Sequence, residues 1–157
     1  MKIPLKFRLA LKYGLIAAFG LIAWIVVVHW LIPNPDSKVH LLGAPVFFNV
    51  LHFAVIFLGL KALERETGDK PRFKDAVSTG VAIAFVYAFT AVLFFLAVVW
   101  AVGTRWMASG IGADSTPTGV RLAQAFGGLF LTTMIFGVIY STVIAFFVAK
   151  RQSELRN

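Results

Sequence analysis

The sequence predicts an all-α membrane protein: four transmembrane helices in an antiparallel bundle, with both termini in the cytoplasm. Three observations predict it. The 157-residue chain is 59% hydrophobic and only 14% charged, against about 25% charged in soluble domains. Its apolar residues gather into four charge-free runs, 13–32, 41–60, 76–102 and 122–149, each meeting the roughly 20 residues needed to cross a hydrocarbon core. Its Lys and Arg sit at the ends of these runs and mostly on one side. Lys2, Lys6, Arg8, Lys12, Lys61, Arg65, Lys70, Arg72, Lys74, Lys150, Arg151 and Arg156 make twelve, against Lys38, Arg105 and Arg121 on the other side. Because basic residues are retained on the cytoplasmic side, this bias sets the orientation.

Each run is justified in turn. The basic start before Tyr13 also fits a cleaved signal peptide, but the run exceeds a typical signal core and ends in "HWLIPNPDS" without a small-x-small site. It is therefore read as helix 1, stopped by the turn residues Pro33 to Ser37. Run two continues past the membrane through Lys61 to Glu66, with Gly68 expected just beyond its C-terminus. Run three follows Pro71, and run four is expected to begin with Thr116 as cap and Pro117 at its first position. The last two runs, 27 and 28 residues long, span roughly 40 Å as helices against a core of about 30 Å, so they tilt or project. None has the alternation of a barrel strand. Trp24, Trp30, Trp100 and Trp106 fall toward the outer side as part of an aromatic belt. Residues 1–157 are thus one integral membrane domain.

Composition also excludes functions. The net charge of +8 reads as topology rather than nucleic-acid binding, which needs basic residues gathered on one groove-facing surface. The absence of Cys removes disulfides, thiolate ligands and cysteine nucleophiles. All seven acidic residues lie outside the runs, no cluster has metal-ligand spacing, and no nucleophile motif occurs. "SGIGAD" (109–114) follows no strand and reads as a loop, not a phosphate cradle. Coupled transport wants an ionisable group at depth, and the runs hold no Asp, Glu, Lys or Arg. The expectation is no enzyme, no catalytic residue, no metal and no resident cofactor.

Small residues recur every four positions: Ala10, Gly14 and Ala18; Ala76, Gly80, Ala84 and Ala88; Gly137, Ser141, Ala145 and Ala149. Such stripes let helix backbones approach, which in lipid replaces water exclusion as the drive to associate. All three lie in the cytoplasmic halves, whereas Trp24, Trp30, Phe94, Phe95, Trp100, Phe126 and Phe130 occupy the outer halves. The bundle is expected to be tight at the inner leaflet and splayed or aromatic-filled at the outer.

Asn49 and His52 are the most polar residues inside a run, share a face of helix 2, and lie level with Tyr87, Tyr140 and Ser141. They predict a buried polar layer of interhelical hydrogen bonds, with a functional site as the sharper alternative. His29 is about 10 Å from His52 in depth, so the two share no metal. A haem or pigment on His52 alone is the one cofactor arrangement left, and His40 reads as an interfacial loop residue. Residues 61–76 hold nine of the 22 charged side chains. Lys61, Arg65, Lys70, Arg72 and Lys74 in this stretch are expected to meet anionic lipid at the cytoplasmic face, with Lys61 and Glu64 as an i, i+3 pair.

"KYGLIAAFG" entering helix 1, "FLGLKALERE" leaving helix 2, "RFKDAVSTGVAIAFVYAF" opening helix 3 and "IYSTVIAFFVAKR" closing helix 4 resemble a bacterial family of four-helix membrane proteins classed only as a domain of unknown function. The most specific element is Phe73, Lys74, Asp75, Ala76 and Gly80 after the charged link. The resemblance implies four spans in a bacterial cytoplasmic (inner) membrane and brings no activity or site residues. The functional expectation is a non-enzymatic accessory or interaction subunit, with protein partners or further copies of itself in the membrane. The alternatives are a carrier or sensor of a hydrophobic molecule, lipid or quinone, in an outer-leaflet cleft, and a pigment-holding subunit.

Overall fold

The computed structural model of the protein describes residues 4–32, 43–102 and 118–149. These form four helices, α1 (Leu5–Leu31), α2 (Ala44–Thr67), α3 (Phe73–Val102) and α4 (Thr118–Val148). All four are long and apolar enough to cross a membrane, and the described residues form an all-helical bundle of a multi-pass membrane protein. The turn at 33–37, the cap at Thr116 and Pro117, His40, Trp106 and the loop at 109–114 lie outside the described residues, as does the His29 side chain.

α1 begins well before the apolar run at Tyr13, because Leu5, Leu9 and Ala10 extend its packing face through the basic residues; Leu9 and Ala10 are buried. α2 ends where Gly68 takes a left-handed φ of 72° and donates its N–H to the Glu64 carbonyl. A Cβ is disfavoured in that conformation, which is why glycine stands there.

α3 is the central element. It packs along both α1 and α4, α2 leans on the other three over smaller surfaces, and α1 and α4 share no extensive contact. The three small-residue stripes form the seams. A Cβ on Gly14 would come within 2.6 Å of Val86 Cβ, one on Gly80 would strike Ser141, and one on Gly137 would strike Ala84. Ala17, Ala18, Ile56, Leu60, Ala76, Ile83, Ala84, Ala88 and Ala145 are completely buried beside these contacts. Hydroxyls in the seams bond back to their own helix, Thr79 Oγ1 to the Asp75 carbonyl and Ser141 Oγ to the Gly137 carbonyl, so neither of these two hydroxyls is stranded at the interface.

One end of the bundle is basic. There Lys6 of α1 pairs with Asp75 of α3 at 2.6 Å, Arg8 pairs with Glu66 of α2, and Phe73 meets Phe146 edge to face. At the other end Trp24 stacks on Phe47 with centroids 4.2 Å apart. The crowding seen at Gly14, Gly80 and Gly137 does not reach the far half of α4, where added Cβ atoms on Gly119, Gly127 and Gly128 would meet nothing within 4 Å.

Candidate functional site

Within the apolar part of α2, Asn49 and His52 turn toward α3 and α4. His52 is 4% exposed, and its ring is held edge-on between Tyr87 of α3 at 5.0 Å and Tyr140 of α4 at 5.6 Å. Tyr140 Oη donates to Asn49 Oδ1 at 2.6 Å, while Asn49 Nδ2 donates to the Pro45 carbonyl at 2.8 Å. Asn49, His52, Tyr87 and Tyr140 therefore come together as one layer joining three helices. Ser141 does not join it: its Oγ is turned to its own helix and against Gly80, where it acts in packing.

Beside this layer lies a cavity of about 250 Å³ reached by all four helices. Asn49, His52, Tyr87, Thr132 and Thr133 give it a polar side, and Leu21, Phe48, Phe95, Leu129 and Phe136 an apolar one. No charged side chain lines it. His52 Nε2 is buried without a hydrogen-bond partner among the described residues. An unpartnered polar atom in such surroundings carries a desolvation cost with no bond to offset it. Trp24 Nε1 is in the same condition, but Trp24 does not line this cavity. Thr132 and Thr133 escaped the sequence reading. They sit at ordinary spacing in an apolar run, and only their position opposite His52 distinguishes them.

A second recess of about 310 Å³ at the basic end is lined by Lys6, Thr67, Asp69, Lys70, Arg72 and Asp75, with Leu63 and Pro71. Of the five residues expected at a lipid interface, Lys70 and Arg72 line this recess, Lys61 bonds Glu64 at 2.8 Å across one turn, and Arg65 and Lys74 are exposed. Lys6 and Arg8, read from sequence only as orientation charges, also act as ties between helices. Among the described residues no group of three or more His, Cys, Asp or Glu is placed to hold a metal ion.

The chain matches no family model, no curated protein and no solved structure.

Proposed function

We propose that this chain is a binding protein of a bacterial cytoplasmic membrane that holds a hydrophobic molecule in the cavity beside His52 and performs no chemistry on it. In this reading the four helices run antiparallel and both termini are cytoplasmic. The twelve-to-three distribution of basic residues supports the orientation. Antiparallel packing is supported by contacts that advance along one helix as they retreat along the next, Phe73 with Phe146 then Phe85 with Phe130, and Tyr13 with Gly59 then Trp24 with Phe47. Arg65, Lys70, Arg72 and Lys74 then lie at headgroup level, where each adds about 1 kcal/mol of attraction to anionic lipid.

The observation that carries the binding role is the uncharged cavity with a buried imidazole at its side. Pockets of this kind, apolar with a few convergent polar groups, are what hydrophobic ligands occupy. The small-residue stripes are spent inside the chain's own bundle, so they do not by themselves supply a face for a further subunit. Purification of the full chain in mild detergent, followed by solvent extraction and mass spectrometry, tests the proposal. One hydrophobic molecule is expected in stoichiometric amount, depleted from a Thr133→Phe variant that fills the cavity. Identical bulk lipid from both proteins would sink the proposal, and a stoichiometric co-eluting protein in place of the molecule would favour an accessory subunit.

A further inference from the structure

Resting on the reading that this cavity holds a hydrophobic molecule, we infer that it is filled sideways from the bilayer, by an uncharged part of a membrane lipid entering through a mouth between α2 and α4.

The lining itself shows where the cavity opens. Leu21 of α1, His52 of α2 and Tyr87 of α3 are 2%, 4% and 5% exposed and form its floor. Among the described lining residues the exposed ones belong to α2 and α4 alone, Pro45 on the first and Thr132 and Phe136 on the second. One turn further toward the basic end this seam is shut, where Asn49 bonds Tyr140 and the rings of His52 and Phe53 meet the Tyr140 ring. α2 and α4 meet over a smaller surface than α3 shares with either α1 or α4, and beyond that bond their seam stands open.

Depth decides what faces the mouth. Thr132 lies near the middle of the apolar span Gly119–Val148, roughly 20 Å from either end at 1.5 Å per residue. A hydrocarbon core about 30 Å thick keeps lipid headgroups roughly 15 Å from its middle. The mouth therefore meets hydrocarbon rather than water or headgroups. The lining agrees, because it offers no Lys, Arg, Asp or Glu to receive an ionised group. Tyr87, Thr132 and Thr133 add hydroxyls to it without adding charge.

Size decides how much enters. The cavity of about 250 Å³ falls below the roughly 300–1,000 Å³ of pockets that enclose most of a small ligand. A lipid is thus admitted in part while the rest stays in the bilayer, an arrangement that an open side permits and a closed cavity would not.

Photoreactive lipids set at two depths test the route. The full chain is reconstituted in phosphatidylcholine vesicles containing a phosphatidylcholine with a diazirine either at the end of one acyl chain or in its headgroup, and labelled residues are mapped by peptide mass spectrometry. The chain-end probe is expected to mark the buried floor at Leu21 or Tyr87, and the headgroup probe to leave it unmarked. Thr132→Trp, which narrows the mouth, is expected to cut floor labelling about tenfold, the equivalent of an overpacking cost of about 1.4 kcal/mol. Leu131→Trp, at an exposed position outside the lining, is expected to leave it unchanged; circular dichroism checks that both variants are helical. Floor labelling by the headgroup probe as strong as by the chain-end probe, no floor labelling by either, or equal effects of Thr132→Trp and Leu131→Trp overturns the sideways route. Solvent extraction of the same native protein keeps that failure apart from failure of the binding role: a stoichiometric molecule leaves the role standing, and its absence removes both.

Discussion

Tyr140 Oη of α4 donates a 2.6 Å hydrogen bond to Asn49 Oδ1 of α2, 91 positions earlier in the chain. Apart from this bond, α2 and α4 meet over a smaller surface than either α3 and α4 or α1 and α3. The same Tyr140 ring also meets His52 and Phe53 of α2 edge to face, so the bond lies within the contact that joins two helices bordering the cavity.

A double-mutant cycle on Tyr140→Phe and Asn49→Leu should therefore give a coupling energy of about 0.6 kcal/mol, the average for interhelical bonds in lipid, and no more than about 1.7 kcal/mol. Each single variant leaves one polar partner stranded, so the double variant should be more stable than the sum of the two losses suggests. Unfolding in mixed micelles measures this, and strictly additive losses would remove the bond from the account.

The glycines make opposite predictions at the two ends. A Cβ on Gly80 would strike Ser141 and come within 3.2 Å of Ile56 Cγ2, whereas one on Gly128 would meet nothing within 4 Å. Gly80→Ala should destabilise by about 1–3 kcal/mol through overpacking. Gly128→Ala should stabilise by about 0.4–1 kcal/mol, since it restricts the unfolded chain without a clash. Unfolding midpoints of the two variants decide this, and a shift of the same sign in both would contradict the packing gradient.

The close seams at Gly14, Gly80 and Gly137 were legible in the sequence, because small residues at four-residue spacing are a local pattern and α1, α3 and α4 each carry one. The helices were legible for the same reason: a charge-free run of spanning length has few other ways to satisfy its backbone. The i, i+3 relation of Asn49 and His52 placed them on one face, and Tyr87 and Tyr140 matched them in depth. Nothing in the sequence showed that Asn49 would bond Tyr140 and leave His52 without a partner, since that depends on helix rotation. Ser141 was assigned to the wrong company for this reason, at the right depth but turned to Gly80 instead of His52. Thr132 and Thr133 were equally invisible, because a cavity is a property of four helices at once.

The ties at the basic end should be weak and sensitive to salt. Lys6 and Asp75 are 46% and 41% exposed, which screens their attraction. Lys6→Gln should cost no more than about 0.5 kcal/mol at low ionic strength, and the cost should disappear near 1 M salt, where the screening length is about 3 Å. A loss that persists in high salt would mean that Lys6 contributes through packing instead.

Replacing Arg65, Lys70, Arg72 and Lys74 together with Gln removes four of the twelve basic residues on which the proposed orientation rests. Labelling of single introduced cysteines from outside intact cells should then detect a mixed topology, and affinity for anionic vesicles should fall by about 1 kcal/mol per residue removed. Unchanged topology and unchanged vesicle affinity would assign this charged segment to a protein partner.

His52 gives the sharpest contrast between stability and function. A buried nitrogen without a partner costs free energy in the folded state, and phenylalanine fills a similar space without that cost. His52→Phe should therefore be as stable as the native chain or more stable by about 1 kcal/mol, because replacing an unpaired polar group with an apolar one of similar shape recovers its desolvation cost. His52→Ala should lose about 2 kcal/mol or more, since it also removes the ring packed against Tyr87 and Tyr140. Stabilisation by Phe together with depletion of the extracted molecule is the signature of a residue kept for binding at the expense of the fold. A His52→Phe protein that unfolds more easily than the native chain would instead make the imidazole a structural element of the layer.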